Sequence, residues 1–296
     1  MLLGYNTNGF AHHDPLTAID LLADLGYRSV ALTVDHGLLS PREDWRPQLD
    51  RIRQALARHD MRCVIETGAR YLLNPRVKHE PTLVSANAGE RAERRRFYEH
   101  CILLAAELEA DCVSLWSGVV RDESTISVEA ASVWDRLTIE LEQTLDDAAA
   151  RGVIIGFEPE PGMFIDTMSQ FAELTKRLPH PALQLTLDVG HLHCLGETPI
   201  TEVIERWKAR IVNVHIEDMR SGVHEHLRFG DGEMDFPPIL QAFAKGSYAG
   251  GVHVELSRHS HAAPETAAAS MAFLAPLVQA TTQAEPSPQL KPEASG

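Results

Sequence analysis

Short apolar runs and helix-length amphipathic segments alternate along the chain, and the alternation repeats eight times. The apolar runs are LLGYN (2–6), SVALTVD (29–35), RCVIETG (62–68), DCVSLWSG (111–118), VIIGFEPE (153–160), LQLTLDVG (183–190), IVNVHIED (211–218) and GGVHVELS (250–257). Between them lie helix patterns such as PLTAIDLLADLG, RRFYEHCILLAAELEA and ITEVIERWKAR. Strands that alternate with helices pair in parallel through right-handed crossovers. Eight such units without a break in composition predict a closed (β/α)8 TIM barrel, a single domain over residues 1–280, in preference to an open doubly wound sheet. Residues 281–296, TTQAEPSPQLKPEASG, carry no periodicity and read as a disordered tail. Two connections, about 68–91 and 219–236, are longer than the usual two to six residues. Both follow strands, which places them on the C-terminal face where barrel enzymes keep their active sites.

Strand alternation then sorts the side chains into a helix-facing and an axis-facing set. In the fifth run Ile155 and Phe157 oppose Gly156, Glu158 and Glu160, and in the sixth the leucines oppose Gln184, Thr186 and Asp188. In the seventh Val212, Val214 and Ile216 oppose Asn213, His215 and Glu217; in the eighth Val252, Val254 and Leu256 oppose His253, Glu255 and Ser257. The aliphatic set must face the helices, so four successive strands each send one ligand-type residue inward: Glu158, Asp188, His215 and Glu255. Three converging carboxylates repel one another unless a cation sits between them. Three oxygens and one imidazole suit one divalent ion; Mn²⁺ is favoured, Mg²⁺ and Co²⁺ fit the set, and Zn²⁺ usually takes more nitrogen or sulfur. Taken singly, each residue would be read as a strand-end polar group with a local partner. Glu160, one step above Glu158, is expected to line the pocket mouth.

Composition narrows the partners. A formal charge of −15 argues against nucleic acid and anionic membranes, and no run approaches the roughly 20 apolar residues of a membrane span. MLLGYNTNGF is not a secretory signal, and the four cysteines form no CxxC pair, so a cytoplasmic protein with buried thiols is expected. A homo-oligomer is allowed by the sequence. No GxGxxG or GxxxxGK[ST] follows the first strand, which weakens a nucleotide-binding reading.

The Glu-Pro ending strand five, LDVGH in strand six, VHIED followed by Arg in strand seven, GDGEMDF and the HVE of strand eight together resemble the xylose isomerase-like TIM barrels. The likeness covers roughly residues 1–278 and lies in the sugar phosphate isomerase and epimerase branch, with ketose 3-epimerases, hydroxypyruvate isomerases and inosose dehydratases. It implies a small carbohydrate substrate and a metal held by Glu158, Asp188, His215 and Glu255. It also implies substrate contacts from His191 and Arg220. The same family includes three-zinc apurinic endonucleases, whose strand-seven loop pair His224 and His226 resemble. Those enzymes need further histidines on the early strands, where Glu66, Trp116 and Ser117 stand here, and the charge also speaks against DNA.

The expected chemistry is removal and return of a proton by Glu158 and Glu255 through a metal-stabilised enediolate, giving isomerisation or epimerisation. A dehydratase would expel a β-hydroxyl from the same intermediate, and a sugar-binding barrel without catalysis is the alternative from another class. Trp116 is expected to stack on a sugar face, and His226 to close over the substrate beside His224. Glu66 is expected to bond substrate, with a buried pair to Arg70 as its plainer role. Arg70, Lys78 and His79 either hold an anionic group or are solvated loop residues.

Overall fold

The computed structural model describes residues 1–121 and 130–283. Eight parallel strands close into a barrel: β1 (Leu2–Asn6), β2 (Ser29–Thr33), β3 (Arg62–Glu66), β4 (Val113–Leu115), β5 (Ile155–Phe157), β6 (Leu183–Asp188), β7 (Ile211–Ile216) and β10 (Gly251–Val254). β1 pairs with both β2 and β10, which completes the ring. Every apolar run therefore holds a strand, but most strands stop before the run does. Glu158 and Glu255, just past Phe157 and Val254, still donate their backbone N–H groups to the Leu115 and Ile216 carbonyls of the neighbouring strands, so the ladder holds them at the barrel mouth.

Several of the crossover helices start or stop on local signals. Asp14 caps α1 (Pro15–Asp24), and Asn87 caps α3 (Ala88–Leu108). Thr167 and Gln170 form a capping box on α5 (Met168–Arg177). α2 (Arg46–His59) ends at Asp60 in the left-handed conformation, as α3 does at Glu109. The remaining helices are α4 (Ala130–Ala149), α6 (Val189–Cys194), α7 (Ile200–Trp207), α8 (Phe236–Lys245) and α9 (Ala263–Gln283). α9 carries helix three residues into the segment read from sequence as a tail; residues 284–296 lie outside the described residues.

The main core fills the space between strands and helices, with Phe157, Phe171, Leu185, Val214 and Val254 among its members. A second cluster, Ala31, Val64 and Cys112 with Ile154 and Val212 against it, plugs the lower barrel. Val212 is here a correction to simple alternation, which assigned it to the helices. The β6–β7 register runs Leu185↔Ile211 then Thr186↔Asn213, skipping one residue, and that bulge brings Val212 to the inner cluster.

The two long connections differ. Residues 67–87 form an irregular loop pinned by Arg94, whose buried guanidinium donates to the carbonyls of Pro81 at 2.6 Å and His79 at 2.5 Å. The connection after β7 is a hairpin, β8 (Asp218–Arg220) against β9 (Val223–Leu227), followed by a turn. The Asp218 carboxylate accepts from the backbone N–H groups of Gly230, Gly232 and Met234 at 2.8, 3.1 and 3.1 Å. A Cβ at Gly232 would overlap that carboxylate, which explains the GDGEMDF spacing.

Candidate metal centre and active site

Glu158, Asp188, His215 and Glu255 each offer a ligand atom, and all four atoms lie within 4.8 Å of one another. They are not level along the hydrogen-bond register. Phe157 pairs with Leu185, so Glu158 comes two residues before Asp188, whereas Asp188 pairs with His215 and His215 with His253. Barrel shear tilts the strands so that these staggered positions meet on one level across the axis.

The geometry fits a divalent ion. His215 Nδ1 lies 3.0 Å from Glu158 Oε1 and 3.0 Å from Glu255 Oε2. Asp188 Oδ1 accepts from the His191 backbone N–H at 2.9 Å, while its Oδ2 is buried without a hydrogen-bond partner. An unpartnered carboxylate oxygen facing two other carboxylates is the environment a cation relieves. Glu255 Oε1 is fixed by Asn8 Nδ2 at 2.8 Å, leaving Oε2 turned toward His215.

The electrostatics show the same strain. Burial, reinforced by Glu255 and Asp188, pushes Glu158 up to about 8 against the opposing pull of His215. Burial and the neighbouring carboxylates also raise Glu160 and Glu217 well above the carboxylate range. Burial would raise Asp188 and Glu255 too, but nearby histidines outweigh it and hold both below their ordinary values. His215 is held well above the imidazole range because Glu158, Glu66 and Glu255 overcome its burial. Burial lowers His191 to about 4 despite Asp188.

A cavity of about 280 Å³ opens onto the cluster, lined by Glu158, Glu160, His215 and Glu255 together with Asn8, Arg70, Lys78, His79, Trp116 and His226. A larger cavity of about 390 Å³ shares Asn8, Thr33 and Arg70 with it but touches none of the four clustered ligands. We take the smaller one as the site because the reactive groups face it.

The other residues singled out from sequence divide clearly. Trp116 lines the cavity edge-on to His79, with ring centroids 5.3 Å apart. His191 Nε2 lies 3.4 Å from Asp188 Oδ2, 3.8 Å from Glu160 Oε2 and 3.1 Å from His224 Nε2. His226 Nδ1 donates to the Glu255 carbonyl at 3.0 Å, which brings His191, His224 and His226 into a second group able to hold an ion. Arg220 is different: it is exposed on the hairpin and donates to the Asp231 carbonyl at 2.9 Å, away from the cavity lining. It pairs with Val223 beside the hairpin turn, past a register shift after Asp218, and its side chain is exposed there. Glu66 does not pair with Arg70; its Oε1 accepts from Asn213 Nδ2 at 3.0 Å and faces His215 Nε2 at 2.9 Å. Arg70 instead reaches the Asn8 carbonyl.

Sequence reading missed Asn8, whose only signal was a polar residue in NTNGF just past the first strand. It also passed over Asn213 and His253, which alternation had placed on the axis but one layer beneath the ligands.

A model of the family described as "Xylose isomerase-like TIM barrel" matches residues 19–277. Inosose dehydratase of Lacticaseibacillus casei is 30% identical over 139 residues, 41% of this chain and 46% of that protein. The chain thus spans about half the length of the curated relatives of this kind that it matches. Among solved structures, a D-tagatose 3-epimerase-like protein aligns with a TM-score of 0.76 at 18% identity, covering 96% of this chain and 99% of that one. The IOLI protein with a binding zinc atom aligns with a TM-score of 0.74 at 17% identity, covering 95% and 99%. At such identities the structural likeness speaks for the fold.

Proposed function

The chain belongs to the xylose isomerase-like TIM barrel family, and from that premise we propose that it is a divalent-metal-dependent isomerase or epimerase of a small sugar or sugar derivative. One observation carries the reading: Glu158 and Glu255 each set a carboxylate oxygen 3.0 Å from His215 Nδ1, beneath a cavity of small-molecule size. Glu158, Asp188, His215 and Glu255 would hold the ion, Mn²⁺ being favoured by three oxygens and one nitrogen. When bound, it would polarise the vicinal oxygens of a hydroxyketone and ease loss of the proton between them.

The chain's own groups supply the proton transfers. One of the two glutamates, ionised, takes a proton from one face of the substrate and keeps it, and the other, protonated, delivers its own proton to the opposite face. Return to the same carbon inverts it; return to the neighbouring carbon moves the carbonyl. Asn8 keeps Glu255 aimed by holding its second oxygen. Trp116 and His79 form the wall against which a sugar face packs, while Glu160 meets hydroxyl groups at the mouth with His191 buried behind it, 3.8 Å away. Arg70 and Lys78 line the same cavity as the clustered carboxylates.

A second reading is favoured by the similarity to inosose dehydratase. There the same proton is removed, and a β-hydroxyl then leaves as water, protonated by His191 or a loop residue.

Two measurements test the proposal. Protein purified without chelator should carry a divalent ion, and stripped protein should gain thermal stability from Mn²⁺; neither occurring would remove the metal centre. NMR in D₂O with ketoses, keto-inositols and their phosphates should show deuterium entering the carbon beside the carbonyl. An epimer or isomer as product supports the first reading, loss of water supports the second, and metal-loaded protein that exchanges no proton overturns both.

A further inference from the structure

Beneath the four clustered ligands runs a buried set of polar side chains that the proposed proton transfers do not use. Ser29 Oγ lies 2.8 Å from His253 Nε2, and His253 Nδ1 lies 2.8 Å from Asn213 Oδ1. Asn213 Nδ2 continues to Glu66 Oε1 at 3.0 Å, and Glu66 Oε1 meets His215 Nε2 at 2.9 Å. The chain crosses the barrel from β2 through β10, β7 and β3, then back to β7, and each of its five members is buried. The backbone makes room for it. A Cβ on Gly4 or on Gly251 would overlap the His253 ring, so two strands forgo side chains to admit one interior histidine.

Glu66 fixes the direction of every bond in the chain. An ionised carboxylate only accepts, so Asn213 must turn its NH₂ toward Glu66 and its carbonyl oxygen toward His253. His253 then donates from Nδ1 and accepts the Ser29 hydroxyl proton at Nε2. On the other side His215 must donate from Nε2, so once the ring gives up a proton on binding an ion it is Nδ1 that is left with a lone pair, on the side of Glu158 and Glu255. A ring nitrogen bound to a metal has its partner nitrogen oriented this way by an outer carboxylate.

We propose that Glu66 is a positioning residue of the metal centre: it holds the proton on His215 Nε2 so that Nδ1 faces the ion, and the Ser29–His253–Asn213 chain holds Glu66 in place. Glu66 also lines the cavity, and its positioning role is the one it exerts through His215. The inference rests on the metal-centre reading given above.

Calorimetric titration of Zn²⁺ into stripped wild type, Glu66→Gln and Glu66→Leu tests it, with ¹⁵N-histidine NMR of the Zn²⁺-loaded wild type. Wild type should show His215 protonated on Nε2 and bound through Nδ1. Glu66→Leu should weaken the ion about 10- to 100-fold. Glu66→Gln keeps an acceptor oxygen and should recover most of that loss, which a purely structural role for the charge would not produce. Ser29→Ala, at the far end, should change affinity least. Ligation through Nε2, or a folded Glu66→Leu with wild-type affinity, overturns the proposal while leaving the metal centre intact. If Glu66→Leu does not fold, the wild-type tautomer and the glutamine variant decide. A wild type that binds no ion overturns the metal centre and this role together.

Discussion

The two halves of the barrel mouth are built differently. The late half, β5 to β7 and β10, presents the clustered donors Glu158, Asp188, His215 and Glu255 from strand ends. The early half presents Asn8, Arg70, Lys78, His79 and Trp116, nearly all from loops or segments just beyond the strands. Strand ends are fixed by the ladder to within the tolerance a metal demands, whereas loops can vary in length and charge. On the function proposed above, the late half would serve the reaction and the early half the choice of substrate. Glu66 and Asn8 bridge the two, since each reaches from an early strand or turn to a late ligand.

If that division holds, the largest losses belong to the late half. Glu158→Gln or Glu255→Gln should lower solvent-proton exchange about 10²- to 10⁴-fold, the range for removing a general acid or base. An unchanged exchange rate in both variants would show that neither moves the proton.

Next comes pH. Glu158, raised to about 8, and His215, raised well above its ordinary value, must each release a proton to hold an ion. Ion affinity should rise with pH from 6 to 8, by about tenfold per unit for each proton displaced. The stripped protein should behave oppositely. Both groups have folded values above their unfolded ones, so their contribution to stability is present in acid and is lost as pH rises through the folded values. Melting of stripped protein at pH 6 and pH 8, beside calorimetry at both, checks the two signs; a flat profile in either breaks the electrostatic account.

The early half should respond more mildly. Arg70→Ala and Lys78→Ala should raise KM about tenfold with kcat and ion affinity little changed, the signature of lost ground-state binding. A fall in ion affinity would instead couple the two halves. Smallest of all is Arg220→Ala, expected to stay within about twofold of wild type in kcat/KM because its guanidinium is exposed on the hairpin. A large effect there would restore the substrate role its sequence context implied.

The legible part of this protein follows from periodicity. Alternation of apolar and polar residues announced each barrel strand and put Glu158, Asp188, His215 and Glu255 on its inner face. Alternation is local, and a strand buried against helices must obey it. It failed at Val212, where a bulge changed the phase, and no pattern within a single strand records which residue its neighbour will skip.

The sequence by itself thus determined the barrel and the inward carboxylates, because both depend on residues close together in the chain. Only the tertiary structure decided partners. Asn8 meets Glu255 across 247 positions and Glu66 meets His215 across 149, contacts set by barrel closure and shear. Closure also sent Glu66 to a histidine instead of Arg70, while the hairpin turned Arg220 away from the cavity, since a side chain's role depends on what lies across the axis from it.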